Sequence, residues 1–208
     1  MQRYDEGAAR ARAVELVSGD RRRLLGIAGS PGAGKSTYAE RLVAGLAADG
    51  YPVALVPMDG FHLAHAVLEE LELVGVKGAP ETFDVDGYVA MLRRLREPDG
   101  ATVWAPRFDR YLEDPIAGAI GIPAEVRLVV TEGNYLLLDR GPWAAIASLL
   151  DECWFLDVDP EVRRERLTAR HVRHGRSPAE ALARTDGSDE SNARLIDASR
   201  YRADALLT

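Results

Sequence analysis

Eight residues, GSPGAGKS from Gly29 to Ser36, carry the clearest chemistry in this chain. Their spacing is that of G-x-x-x-x-G-K-[ST], a turn whose glycines let backbone N–H groups close around phosphate oxygens without side-chain clash. The apolar run RLLGIAG precedes the turn, and Ala39, Leu42, Val43, Leu46 and Ala47 follow it at helical spacing. The phosphates would therefore also meet a helix N-terminus. In such a loop Lys35 reaches the β- and γ-phosphates, Ser36 holds magnesium, and Gly29, Ser30, Pro31, Gly32, Ala33, Gly34 and Thr37 complete the cradle.

Two carboxylates and a row of guanidiniums extend this chemistry. Asp59 closes the second apolar run, PVALVPMD, where it would orient or deprotonate an attacking hydroxyl; an Asp-Gly turn is the plainer reading. Glu132 ends VRLVVTEG, the place for an acidic residue that holds magnesium or its water. Downstream, DPEVRRERLTARHVRHGRS opens with Asp159 as N-cap and Pro160 at the first helical position. Arg163, Arg166, Arg170 and Arg173 then recur at i, i+3, i+7 and i+10, one face of a helix. Beside a phosphate loop such a stripe suits a lid that stabilises the transferring group, with Gly175 as hinge; alone it would read as a solvated basic face.

The rest of the composition narrows the class. With 208 residues, 47% hydrophobic and 28% charged, the chain has the size and balance of one globular domain, residues 1–208. A net charge of −7 argues against nucleic acid as a partner, and no apolar run is long enough for a membrane span or signal peptide, so a cytoplasmic location is expected. Arginine supplies nearly all positive charge: the only lysines are Lys35 and Lys77. Cys153 is expected as a buried, inert thiol, and the four histidines lack zinc-ligand spacing. Trp104, Trp143 and Trp154 are expected in the core.

These side chains need a frame that gathers them. Short apolar strands alternating with helices predict an α/β, doubly wound parallel sheet of five strands: RLLGIAG, PVALVPMD, VRLVVTEG, ECWFLDVD and the terminal DALL. Residues 3–18 are expected to form a surface helix. Ligands in such sheets sit beyond the carboxyl ends of the strands, where Gly29, Asp59, Glu132 and Asp157 fall. Residues 60–124 are too long for a simple crossover; helical patterns around Ala64–Leu73 and Tyr88–Arg96, with the proline-punctuated APRFDRYLEDPIAG, predict an inserted cap. Residues 160–178 would be the lid.

Together, GSPGAGKS, PMDGFH, KGAPETFD, APRFDRYLEDP, TEGNYLLL and ARHVRHGRS resemble the P-loop small-molecule kinases of the phosphoribulokinase, uridine kinase and pantothenate kinase type, most closely the bacterial proteins labelled fructose transport system kinase. The resemblance implies strand order 2-3-1-4-5, ATP with Mg2+, Asp59 beside the acceptor hydroxyl, Glu132 as strand-end glutamate, and Arg170 as a lid arginine on the phosphates, with Arg166, Arg173 and Arg176 as weaker matches. It further implies an acceptor pocket drawing on His62, Lys77, Glu81, Arg107, Asp109, Arg110 and Tyr135. APRFDRY lacks the aromatic-Asp-Phe and histidine pattern that uridine kinases use around their base. The expected activity is transfer of phosphate to a small-molecule hydroxyl acceptor. The alternatives are a regulatory nucleotide-binding module or NTP hydrolase, and a switch GTPase, for which no N-K-x-D-like element follows the fourth strand.

Overall fold

Strand β2 (Arg23–Ala28) runs straight into the glycine loop and is buried from Leu24 onward. In the computed structural model, which describes residues 1–97 and 99–208, it lies within a six-stranded parallel sheet. Leu24 and Ala28 pack on one face with Val56, Val129 and Phe155. Leu25 and Ile27 pack on the other with Ala39, Leu42, Leu46 and Trp154. A strand covered on both faces has no polar side to show, which is why its sequence is continuously apolar.

The remaining strands are β3 (Val53–Pro57), β6 (Leu128–Gly133), β7 (Glu152–Leu156), β8 (Ala205–Leu207) and, at the edge, β1 (Gln2–Tyr4). Their order is β1-β8-β7-β2-β6-β3. Counting only the five anticipated strands, this is 2-3-1-4-5 as expected. The sixth corrects the expectation of one helix over residues 3–18. Gln2–Tyr4 pairs with Ala205–Leu207, and helix α1 (Glu6–Val17) begins only after Asp5, whose side chain accepts the Ala8 N–H. Three residues are too few to show a period, and their partner lies at the other end of the chain.

Helix α2 (Lys35–Ala48) follows the loop and packs against the sheet through Ala39, Leu42 and Leu46. The segment between β3 and β6 contains α3 (His65–Glu70), α4 (Val85–Arg96) and an antiparallel hairpin of β4 (Val103–Asp109) and β5 (Asp114–Ile122). The hairpin was not evident from its sequence. Pro106 has no N–H for the ladder, and the register shifts between Ala105 and Arg107. Trp104, on this hairpin, is 60% exposed rather than in the core, whereas Trp143 and Trp154 are buried. After β7 come α5 (Pro160–Arg173), α6 (Pro178–Arg184), one π-helical turn (Thr185–Asp189) and α7 (Glu190–Asp197). Gly175, just past the His174 C-cap of α5, turns the chain at φ +93°, and Ser177 and Glu180 form the capping box that restarts it as α6.

Candidate active site

Sheet register brings the first functional groups together. Glu132 stands opposite Ile27 on one side and Pro57 on the other. Gly29 lies two residues beyond Ile27 and Asp59 two beyond Pro57, so loop, glutamate and aspartate share one rim.

The loop is held from outside. Buried Arg163 donates from Nη1 to the Pro31 carbonyl (3.0 Å), and Arg166 donates to the Ala33 carbonyl (3.3 Å). In a trans peptide the N–H opposes the C=O. The Gly32 and Gly34 N–H groups therefore face away from the arginines and into the loop. Gly34, at φ +97°, caps α2 with no side-chain hydrogen bond, which leaves the first-turn amides for an anion. Ser30 Oγ donates to Asp197 Oδ1 at 2.5 Å, fastening the loop to α7.

Inside the loop, Lys35 Nζ donates to the Ser30 carbonyl (3.3 Å) and to Asn134 Oδ1 (2.7 Å). Burial lowers its pKa to about 8, with Glu132 and Asp59 opposing. Ser36 Oγ donates to Glu132 Oε1 at 2.9 Å. Glu132 is pushed up to about 7, first by burial and then by the Asp59 charge. Burial acts against the Asp59 charge too, but His62, Arg110 and Lys35 outweigh it and hold that pKa below the ordinary carboxylate value. The pair is thus split, one carboxylate ionised and the other poised near neutrality. A hard cation fits here: Ser36 Oγ and Glu132 present adjacent oxygens beside a phosphate cradle, and a bound charge would ionise Glu132. No group of three or more His, Cys, Asp or Glu among the described residues is arranged to hold a metal, so any ion would draw further ligands from phosphate and water.

The segment between β3 and β6 lies along the other side of Asp59. Arg110, in the β4–β5 turn, pairs with Asp59 at 2.5 Å. His62 Nδ1–H donates to the Asp59 carbonyl (2.8 Å), and its ring packs 4.0 Å from Phe83 and 4.9 Å from Phe108. Burial lowers the His62 pKa, which favours neutral imidazole. Lys77 Nζ donates to the Glu113 carbonyl at 2.6 Å and lies 5.1 Å from the Phe108 centroid. Tyr135 OH donates to the Gly78 carbonyl at 2.6 Å, so its hydroxyl already has a structural partner. Asp109 accepts the Tyr111 and Leu112 N–H groups and shapes the hairpin turn. Arg107 is exposed, and Glu81 lines a neighbouring cavity of about 830 Å³ with Phe83, Trp143 and Asn192.

The arginines on and just after α5 divide by what they touch. Arg163 and Arg166 serve the loop carbonyls. Arg170 is exposed and makes no side-chain hydrogen bond among the described residues; partial desolvation lowers its pKa, with Asp189 and Asp59 opposing, and it stays charged. Arg173, Arg176 and Thr37 are exposed, and none makes a side-chain hydrogen bond among the described residues. Asp157 is spent in an ion pair with Arg200 at 2.5 Å. The group missed from sequence is Asn134; its signal was a lone amide two residues beyond the strand-end glutamate. His171 and Asp189, paired at 2.6 Å between α5 and the π-helical turn, carry no sequence pattern.

Comparison with known proteins places this geometry among relatives. The chain is 34% identical over 213 residues to a Schizosaccharomyces pombe protein named "Putative uridine kinase", covering 94% of this chain and 87% of the relative. A crystal structure from Silicibacter sp. TM1040, titled "putative fructose transport system kinase", superposes with TM-score 0.87 at 39% identity, over 96% of this chain and 97% of that one. The YFH7 structure from Saccharomyces cerevisiae shares the fold, with TM-score 0.83 at 20% identity over 99% of both chains. A family model described as methylmalonyl Co-A mutase-associated GTPase MeaB matches residues 6–63, which hold the glycine loop and its flanking strands but not the cap or lid. No helix among the described residues is long and apolar enough to cross a membrane.

Proposed function

Since this chain belongs to the P-loop small-molecule kinases of the phosphoribulokinase and uridine kinase type, we propose that it transfers the γ-phosphate of ATP to a hydroxyl of a small polar metabolite. The observation that carries this reading is the placement of Asp59 at the rim shared by Lys35 and Glu132, under a cap that adds a second wall. A hydrolase or switch has no need of that wall.

In this reading the loop amides and Lys35 position the triphosphate, while Arg163 and Arg166 hold the loop open from behind. Ser36 and Glu132 are the side chains that would hold Mg2+, which would supply positive charge to offset that of the triphosphate. Arg170 adds positive charge at the transferring group. Asp59, ionised, holds the acceptor hydroxyl and takes its proton as the new O–P bond forms and the bond to the β-phosphate oxygen breaks, releasing ADP. His62 steadies the Asp59 backbone.

The test is nucleotide consumption with magnesium across sugars, polyols, hydroxy acids, nucleosides and pantothenate-like alcohols, with product masses. An acceptor that raises turnover well above background, and an Asp59→Asn variant that loses about 100-fold or more of that turnover, would support the reading. Turnover indifferent to every acceptor and to Asp59→Asn would favour a hydrolase or regulatory module. Running GTP beside ATP addresses the MeaB match: GTP preference with no acceptor would revive the switch.

A further inference from the structure

We propose that the acceptor is itself an anion, a hydroxy compound bearing a carboxylate or phosphate that Arg110 binds in exchange for Asp59. This names the substrate class for the phosphotransfer above and rests on it.

The geometry around Asp59 presents a conflict. Asp59 must be available to an acceptor hydroxyl, yet its Oδ2 accepts a hydrogen bond from Arg110 Nη2 at 2.5 Å. That pair is weakly held: the Arg110 side chain is 58% exposed, in a hairpin turn, and such ion pairs contribute little net stability. It is therefore suited to exchange. A neutral acceptor would have to compete with the guanidinium for Asp59. An acceptor carrying an oxyanion removes the competitor, because the guanidinium fork matches carboxylate and phosphate geometry.

The surroundings point the same way. The guanidinium carbon of Arg110 lies 4.9 Å from the Phe108 centroid, and Lys77 Nζ lies 5.1 Å from the same centroid. Glu113 partly offsets Lys77, at 3.9 Å, so Arg110 is the freer cation. Lys35 and Arg170 are committed to the nucleotide phosphates in the proposed reaction, and Glu132 to magnesium. Arg110 and Lys77 are then the cations left beside Asp59 and Glu113, a balanced set of charges. Both lysines of the chain stand in this site, one for each end of the transfer. An oxyanion that takes Arg110 frees Asp59 without leaving that guanidinium unpaired.

The experiment uses one carbon scaffold in three charge forms: a C4 to C6 polyol, the corresponding aldonate, and the polyol phosphate. The expected result is that kcat/KM for one or both anionic forms exceeds that of the polyol at least 10-fold, and that Arg110→Gln reduces this ratio about 10- to 100-fold, the loss of a charge-assisted hydrogen bond. Lys77→Gln should reduce it less. Preference between aldonate and phosphate identifies which anion is read. A polyol used as well as its anions, or a ratio unchanged in Arg110→Gln, overturns the inference while leaving phosphotransfer intact. If no form is phosphorylated, the phosphotransfer reading fails on this scaffold, and calorimetric binding decides the inference, with a non-hydrolysable ATP analogue and magnesium filling the loop. Anion binding lost in Arg110→Gln supports it; binding equal in both proteins, or absent from the wild type, overturns it.

Discussion

Replacing Gly32 by alanine should damage this protein more than the same change at Gly34, although both lie in one loop at positive φ. At Gly32 (φ +80°) a Cβ would meet the Arg163 carbonyl oxygen at 2.8 Å and Leu167 Cγ at 2.8 Å. At Gly34 (φ +97°) the nearest atom is Arg166 Nη1 at 3.8 Å, ordinary contact. Left-handed backbone costs an alanine about 1–2 kcal/mol at either position. Only Gly32 adds overpacking against a helix backbone, about 1–3 kcal/mol more. The totals are about 2–5 kcal/mol for Gly32→Ala and about 1–2 kcal/mol for Gly34→Ala. With a urea m-value of about 2 kcal/mol/M, the midpoints should fall by about 1–2.5 M and 0.5–1 M respectively. Relief of the clash pushes α5 outward, so Arg163 and Arg166 should lose the Pro31 and Ala33 carbonyls and nucleotide affinity should fall with stability in Gly32→Ala. Equal midpoint shifts, or a larger one at Gly34, would refute the claim that α5 is packed against the loop.

Three further outcomes are expected. Lys35 titrates near 8 in the folded protein against an ordinary 10.5, so above pH 8 the unfolded chain binds more protons and nucleotide-free stability should rise with pH until about 9, where the buried Cys153 thiol and then the Tyr38 hydroxyl, both raised by burial, begin to oppose it. Urea midpoints from pH 7.5 to about 9 test this, and Lys35→Met should flatten the slope; an equal slope in the variant would place the titrating group elsewhere. Glu132→Gln removes a buried, disfavoured charge, so without metal it should be at least as stable as wild type while its apparent magnesium affinity drops about 10- to 100-fold; a clear loss of metal-free stability would contradict that assignment. Cys153 is fully enclosed and burial raises its pKa, so thiol labelling should proceed only through opening of the fold, accelerating with urea in step with unfolding; rapid labelling in native buffer would be incompatible with its position.

Much of the rim was legible because each of its parts is local. GSPGAGKS announces itself by spacing, and the rule that ligands gather beyond the carboxyl ends of parallel strands located Asp59 and Glu132 without coordinates. Other features depend on partners that no local pattern names. Gln2–Tyr4 became a strand through Ala205–Leu207. APRFDRYLEDP hid a hairpin because its proline interrupts the pattern that would have revealed it. The Asp109 carboxylate holds the backbone of its own turn, which its place in the segment does not announce.

The phosphate loop, the sheet that carries it and the residue types at its rim follow from turn chemistry and hydrophobic period, which are properties of neighbouring residues. How those residues divide the work follows from contacts between segments far apart in the chain. Those contacts turned Arg163 into a strut behind the loop, bound Asn134 to Lys35, and set Arg110 on Asp59. They also separated the Asp59 and Glu132 pKa values, because burial and the field of nearby charges exist only once distant segments have been brought together.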